Sequence, residues 1–212
     1  MPTVALIDYG SGNLRSAEKA LARAAGTLSR GHEVVVTDAP DVIARADRIV
    51  LPGVGAFSAC MDALEQRPGL LEAMTDAVQT QGRPFLGVCV GMQLLASRGL
   101  EFGPRAGLDW IKGEVRRLEP GEDALKVPHV GWNDVSALPH PLFREASTSQ
   151  MYFTHSYVFD PTDPGVVLAV SDYGGTITAA VANANVAGVQ FHPEKSQGAG
   201  LALIARFLEW RP

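Results

Sequence analysis

The stretch Pro84-Phe85-Leu86-Gly87-Val88-Cys89-Val90-Gly91 decides the fold, because it joins an apolar run of strand length to the helix-like Met92-Gln93-Leu94-Leu95-Ala96. A nucleophilic side chain with a small residue two positions to either side is typical of a nucleophile elbow between strand and helix. Larger residues at positions 87 and 91 would collide with the strand or the helix. The Cys89 sulfur should therefore be presented at a helix N-terminus, which favours negative charge. A lone cysteine is more often a buried core residue, but the paired glycines favour the elbow.

A candidate base for this cysteine lies far downstream, in Gly188-Val189-Gln190-Phe191-His192-Pro193-Glu194. Residues Val186 to Phe191 are predicted to form a strand that delivers His192 at its end, because Pro193 prevents further ladder pairing. Glu194 can accept a hydrogen bond from the second imidazole nitrogen and fix the ring. Taken separately, the histidine could be a core residue and the carboxylate a first-turn helix charge. Together with Cys89 they form a candidate catalytic triad.

Apolar runs of strand length alternate with helix-like segments in the first half of the chain, which predicts an α/β fold with a doubly wound, mostly parallel sheet flanked by helices. A ligand site is expected at the carboxyl ends of the strands. Ser11 is predicted to cap a helix that runs to about Ala25, and Ser196 to cap a last helix that runs to about Trp210. The predicted strands are Thr3 to Ile7, Glu33 to Thr37, Arg48 to Leu51 and Phe85 to Val88.

The second half of the chain, from about Leu108 to Phe191, is richer in short β-like runs and Gly/Pro turns and predicts a smaller β-rich part. No repeat or linker divides the chain, so residues 1–212 are expected to form a single domain. The stretch Gly26 to His32 is the least patterned and is predicted to be a surface loop.

Composition restricts the partners. The 212 residues carry a formal net charge of -5 and no Lys/Arg cluster, which argues against nucleic acid. No apolar run approaches the roughly 20 residues that cross a bilayer, and no leader peptide precedes the first strand, so we expect no membrane partner and a cytoplasmic location. Cys60 and Cys89 are too few for a disulfide framework or a thiolate metal site. Cys60 is expected in the core of a short helix.

The Gly-x-Cys-x-Gly elbow and the His-Pro-Glu segment resemble the class I (triad) glutamine amidotransferases. Further motifs resemble the glutaminase subunits of imidazole glycerol phosphate synthase within that family, and the resemblance covers essentially the whole chain. These motifs are Asp8-Tyr9-Gly10-Ser11-Gly12-Asn13-Leu14, Pro52-Gly53-Val54-Gly55-Ala56-Phe57, Pro128-His129-Val130-Gly131-Trp132-Asn133, Tyr152-Phe153-Thr154-His155-Ser156-Tyr157 and Phe191-His192-Pro193-Glu194-Lys195-Ser196.

The resemblance implies a flavodoxin-like fold, glutamine as substrate, and no cofactor or metal. It also implies a heterodimer with a (β/α)₈-barrel cyclase subunit that uses the released ammonia in histidine biosynthesis. The residues implied in the oxyanion hole are Gly53, Val54 and Val90; those that hold the substrate are Gly55, Gln93, Thr154, His155 and Ser156; those that face the partner are Asn13, Trp132, Tyr152 and Lys195.

Other interpretations are open for several of these residues. Pro52 to Gly55 could be a plain turn, Gln93 an exposed helix position, and Trp132 and Tyr152 ordinary core residues. A glutaminase of another pathway would keep the triad but lack Pro128 to Asn133. A related cysteine peptidase or chaperone would place histidine where Val90 stands, and a non-catalytic binding module would be free to lose the triad.

Overall fold

The computed structural model describes residues 1–121, 125–143 and 147–212. Its centre is a nine-stranded sheet in the order β2-β1-β3-β4-β13-β12-β11-β8-β9. The first five of these strands are parallel and the last four continue the same sheet in antiparallel order. Helices flank the sheet, so the predicted doubly wound α/β fold is confirmed.

The parallel strands are short and almost fully apolar, as expected for strands covered on both faces. They are β1 (Thr3–Ile7), β2 (Glu33–Thr37), β3 (Arg48–Gly53), β4 (Phe85–Cys89) and β13 (Val186–Val189). Strand β3 is two residues longer than predicted, because Pro52 and Gly53 still pair with β4. Strand β13 ends two residues earlier than predicted, and the chain then leads to His192.

The β-rich second half is also confirmed. It adds β8 (His129–Ala137), β9 (Ser147–His155), β11 (Val167–Asp172) and β12 (Thr176–Asn183) to the large sheet. A separate four-stranded sheet has the order β10-β7-β5-β6. Its strands are β5 (Arg98–Gly99), β6 (Arg105–Ala106), β7 (Gly113–Arg117) and β10 (Tyr157–Pro161).

Helices bury their apolar faces against the parallel strands, and one hydrophobic core runs between them. They are α1 (Leu14–Ala25), α2 (Pro40–Arg45), α3 (Phe57–Glu65), α4 (Leu70–Thr75), α5 (Val90–Gln93) and α6 (Gln197–Glu209). A π-helical turn spans Asp76–Thr80, and 3₁₀ turns span Pro164–Val166 and Pro193–Lys195. Cys60 is buried in α3, as predicted.

Both predicted serine caps are wrong, because each hydroxyl has a different partner. Helix α1 begins at Leu14, after Asn13, and the Ser11 hydroxyl instead donates to the Val54 carbonyl at 2.8 Å. Ser196 does precede α6 but makes no capping bond. Its hydroxyl donates to the His192 carbonyl at 2.7 Å. The two serines therefore belong to the site rather than to the helices.

The segment Gly26 to His32 connects α1 to β2 at the amino ends of the strands, and most of its residues are exposed, as predicted for a loop. Among the described residues, no helix combines the length and apolar character needed to cross a membrane.

Candidate active site

The turn between β4 and α5 has the geometry of a nucleophile elbow. Cys89 has φ 56° and ψ -114°, a backbone conformation that non-glycine residues rarely adopt. A Cβ at Gly87 would lie 2.4 Å from the Gly91 carbonyl oxygen, and one at Gly91 would lie 2.0 Å from that of Leu51. The steric reason for glycine on both sides of the cysteine is therefore confirmed. The Cys89 side chain ends up buried at the carboxyl end of β4.

His192 is held beside this elbow by its own backbone. Its N–H donates to the Tyr152 carbonyl at 2.8 Å, and its carbonyl accepts from the Ser196 hydroxyl. The same hydroxyl accepts from the Tyr152 N–H at 3.0 Å, so Ser196 ties the histidine segment to β9. Gly200 of α6 allows this close packing, because a Cβ there would lie 1.9 Å from the Pro193 carbonyl oxygen.

The imidazole of His192 links the other two residues of the predicted triad. Its Nδ1 lies 2.8 Å from Oε1 of Glu194, and both side chains are almost completely buried. Burial alone would lower the pKa of His192, but hydrogen bonds to Cys89 and to Glu194 outweigh it and raise this pKa to about 9. The ring is therefore protonated at neutral pH, and Nδ1–H donates to the carboxylate. The structure thus brings Cys89, His192 and Glu194 together.

The segment after β3 lies against the elbow. Gly53 is the register partner of Cys89, and a Cβ there would meet the Gly91 nitrogen at 2.6 Å. Gly55 has φ +95°, which favours glycine. The segment therefore continues a strand before it turns away, and the interpretation as a plain turn is wrong for Pro52 and Gly53.

Val54 is held by a group of side chains that we call the Val54 clamp: Tyr9, Ser11 and Cys60. The Ser11 hydroxyl donates to the Val54 carbonyl, which also accepts from the Cys60 thiol at 3.4 Å. The Val54 N–H points to the Ser11 oxygen at 3.4 Å, a long bond. Tyr9 donates to the Pro52 carbonyl at 2.7 Å. In this conformation the Val54 N–H is therefore directed at Ser11.

Val90 provides a second backbone donor close to Cys89. It is the first residue of α5, so its N–H has no partner within the helix. The positive end of the helix dipole adds to this effect and favours a negative charge beside the sulfur.

A pocket of about 230 Å³ opens over Cys89. It brings together ten of the residues predicted for the site, whereas Gly53 and Glu194 lie behind it. The predicted residues in the lining are Val54, Gly55, Cys89, Val90, Gln93, Thr154, His155, Ser156, His192 and Lys195. Gln93 is only 4% exposed, so the interpretation as an exposed helix position is wrong. Its amide donates to the Tyr157 carbonyl and to Gln190 Oε1, both at 3.0 Å.

Two neutral histidines support the wall of this pocket. Burial lowers the pKa of His129 and of His155 to about 4. His155 Nδ1 lies 2.9 Å from the Tyr157 carbonyl and must donate to it, so its Nε2 accepts from His129 Nδ1 at 2.9 Å. His129 Nε2 then accepts from the Asn133 amide at 3.3 Å. This chain fixes both tautomers and holds the segment between β9 and β10.

The residues predicted to face a partner lie outside the pocket, except for Lys195. Trp132 is 46% exposed and packs edge-on against its cross-strand neighbour Tyr152 at a centroid distance of 6.0 Å. The ammonium group of Lys195 lies 5.7 Å from the centre of the Tyr152 ring. Asn13 is exposed at the start of α1. The interpretation of Trp132 as a core residue is therefore wrong.

Sequence reasoning missed several residues of the site. Glu101 supplies the only carboxylate in the described pocket lining, and its Oε2 accepts from the Phe57 N–H at 2.9 Å. Gln190 is fully buried and its amide lies 3.8 Å from the Cys89 sulfur. Neither lies in a motif position that singles it out, although Gln190 stands two residues before His192. Tyr9 and Ser11 lie in a recognised motif, but no local pattern links them to Val54.

Comparisons with known proteins agree with this geometry. Residues 5–210 match the family described as glutamine amidotransferase class-I. Two solved structures share the fold: a glutamine amidotransferase, with a TM-score of 0.70 and 20% identity over 97% of both chains, and a putative GMP synthase protein from Thermoplasma acidophilum. The latter has a TM-score of 0.68 and 20% identity over 99% of this chain and 93% of the other.

Curated relatives are more similar and equally complete. The imidazole glycerol phosphate synthase subunit HisH of Caulobacter vibrioides is 56% identical over 100% of both chains. The HisH subunits of Zymomonas mobilis and Rhodospirillum rubrum are 53% and 52% identical, over 99% of this chain and 97% and 99% of their own lengths. The chain therefore belongs to the class I glutamine amidotransferase family, and within it to the HisH subunits of imidazole glycerol phosphate synthase.

Proposed function

We propose that residues 1–212 form one glutaminase domain that hydrolyses glutamine and supplies ammonia to a cyclase subunit. The observation that carries this proposal is the contact of His192 with both Cys89 and Glu194 beneath a small pocket. No residue with this chemistry competes for the role, because Cys60 is the other cysteine and lies in the Val54 clamp.

In the first half of the reaction, the Cys89 sulfur attacks the side-chain amide carbon of glutamine. Protonated His192 gives its proton to the leaving nitrogen, the C–N bond breaks and ammonia departs, which leaves a thioester on Cys89. Neutral His192 then takes a proton from water, whose oxygen attacks the thioester carbon. The C–S bond breaks, glutamate leaves, and Glu194 keeps the ring oriented in both halves.

The oxyanion of each tetrahedral intermediate needs two backbone donors, and we assign them to Val90 and Val54. The Val90 N–H is available at the start of α5. The Val54 N–H points to Ser11 and must turn over before it can donate, and glycine at position 53 lowers the steric cost of this rotation. The resting glutaminase therefore has an incomplete oxyanion hole.

Polar groups around the pocket suit the amino acid end of glutamine. The backbone of Thr154, His155 and Ser156 forms one wall, and Gln93 stabilises it through the Tyr157 carbonyl. We assign the substrate's ammonium group to Glu101, because a carboxylate in a small pocket is a strong partner for a cation. Its position is fixed by the Phe57 N–H.

We place the cyclase partner, a (β/α)₈ barrel, on the surface formed by Asn13, Trp132, Tyr152 and Lys195. Aromatic side chains next to a cation are typical of interface anchors. Ammonia released into bulk water would be protonated, so the acceptor site must be close to Cys89. Lys195 lies at both the pocket and the Tyr152 ring and connects the two. We also place the heterodimer in the cytoplasm, where reducing conditions keep Cys89 as a free thiol.

Glutamate release tests this proposal when it is measured for the isolated glutaminase, for its complex with the cyclase, and for that complex in the presence of the cyclase's nucleotide ligand. We expect turnover to rise in that order, because the partner favours the conformation with the Val54 N–H turned toward Cys89. An activation of about 1000-fold corresponds to about 4 kcal/mol of coupling free energy. Equal rates in all three samples would contradict the gating while leaving the triad chemistry intact.

A further inference from the structure

A second cavity, of about 630 Å³, lies at the amino ends of the parallel strands. Its lining includes Pro2, His32, Asp47 and Pro84, each of which directly precedes one of the strands β1 to β4. Cys89 stands at the opposite, carboxyl end of β4. We call this space the amino-end cavity. It is separate from the pocket over the triad and shares no lining residue with it.

The amino-end cavity is lined by an excess of cations. Four arginines face it, Arg30, Arg48, Arg83 and Arg211, against two acidic side chains, Asp47 and Glu209. Arg83 is 3.6 Å from Asp47, which is a loose pair. In the described part of the chain, the other three arginines form no ion pair. Such an excess is unusual in a chain whose formal net charge is -5.

Arg48 is fixed in place at the centre of this group. Its guanidinium donates to the Phe207 carbonyl at 3.1 Å and to the Trp210 carbonyl at 2.8 Å, so it is oriented without being neutralised. Burial, together with the charges of Arg211 and Arg30, lowers the pKa of Arg48. The cations are thus held close together at an energetic cost that an anion would relieve.

Two further polar atoms in the cavity wall are not satisfied by the protein. The Nε of Arg83 and the Nδ1 of His32 are buried, and neither has a hydrogen-bond partner among the described residues. Buried polar atoms in proteins almost always have a partner. Arg30 and His32 come from the Gly26–His32 loop, whose contribution the glutaminase chemistry does not explain.

We propose that the amino-end cavity binds a phosphate-bearing anion of about nucleotide size. Planar guanidinium groups match phosphate oxygens in pairs of parallel hydrogen bonds, and several arginines together suit an anion with more than one charge. A cavity of this volume falls in the range of small-molecule sites. The ligand therefore binds at the edge of the sheet remote from the triad.

Calorimetry on the full chain tests this proposal with pyrophosphate, AMP and ATP as phosphate probes, citrate as a carboxylate probe and adenosine as an uncharged one. We expect one phosphate probe per chain and no adenosine binding. The double variant Arg30→Glu/Arg211→Glu, which changes two exposed side chains, should weaken binding by about tenfold or more. The matched control Lys19→Glu/Arg117→Glu makes the same charge change elsewhere and should bind like wild type. The milder Arg30→Gln/Arg211→Gln replaces the first variant if its unfolding midpoint is lowered.

The location is read from the five histidines by NMR. The resonances of His32 should shift on addition of the phosphate probe, and those of His192 should not. The Cys89→Ala variant should bind the probe as wild type does. Absence of saturable phosphate binding, citrate binding of equal strength, equal weakening by the control variant, or a shift at His192 instead of His32 would each overturn the proposal. None of these outcomes depends on whether the chain hydrolyses glutamine.

Discussion

At the scale of single residues, the chemistry depends on how burial and two neighbours affect one imidazole. His192 is buried, which disfavours its charged form, but Glu194 at 2.8 Å and Cys89 on the other side reverse the effect. The other buried histidines of the site, His129 and His155, have no such carboxylate and stay neutral. The same residue type thus provides a proton donor in one position and a rigid support in two others.

We predict that Glu194→Gln lowers the pKa of His192 from about 9 by about one unit or more, because the charged partner is lost. Because the folded-state pKa is raised, the stabilisation that it gives wild type is fully present below about 6.5 and is lost as pH rises through about 9. NMR titration of the imidazole measures the shift, with His140 as an internal reference away from the triad. An unchanged pKa would mean that Glu194 does not stabilise the cation.

Glu101 provides a second test at this scale. Glu101→Gln keeps an oxygen that can accept from the Phe57 N–H but removes the charge from the pocket. We expect KM for glutamine to rise by about tenfold with little change in kcat, because a uniform binding contact is lost. Steady-state glutamate release in the complex measures both constants. An unchanged KM would exclude Glu101 as the partner of the substrate's ammonium group.

At the scale of elements, the elbow depends on the close approach of α5 to β3. We predict that Gly91→Ala lowers the free energy of unfolding by about 3 kcal/mol or more, because the added methyl group would lie 2.0 Å from the Leu51 carbonyl oxygen. The matched control is Gly198→Ala in α6, where a Cβ meets nothing within 4 Å. That variant should be neutral or slightly stabilising. Urea unfolding compares the two, and equal midpoints would contradict the steric account of the elbow.

The Val54 clamp acts at the same scale. Ser11→Ala removes both the donor to the Val54 carbonyl and the acceptor for its N–H, so the Gly53–Val54 peptide should turn over more readily. We expect the isolated glutaminase to release glutamate several times faster than wild type, and the activated complex to change less. Ser16→Ala on α1 serves as the control. A lower basal rate in Ser11→Ala would mean that the clamp supports the active conformation instead.

At the scale of the whole molecule, one sheet collects the site from distant parts of the chain. The carboxyl ends of β3, β4 and β13 and the end of β9 meet around Cys89. The parallel half could be predicted from the sequence, because its strands are apolar runs separated by helical patterns. The triad could also be predicted, because glycine on both sides of Cys89 and proline after His192 have steric reasons that the residues themselves carry.

The rest depends on contacts between residues far apart in the chain, which no local pattern reveals. The antiparallel order β12-β11-β8-β9 follows from pairing across long connections. The hydroxyls of Ser11 and Ser196 have ordinary capping positions, and only the fold brings them to Val54 and His192. Glu101 lies in a turn without a motif, and its place in the pocket follows from the packing of that turn against α3.

The central claim is that Cys89 forms the thioester with glutamine. Its most direct test is glutamate release by the complex with the cyclase, measured for wild type, Cys89→Ala and Cys60→Ser. The last of these changes the other cysteine and keeps a donor for the Val54 carbonyl. We predict that Cys89→Ala abolishes glutamate release while it still binds the cyclase, and that Cys60→Ser retains most of the activity. Glutamate release by Cys89→Ala close to the wild-type rate would contradict the account.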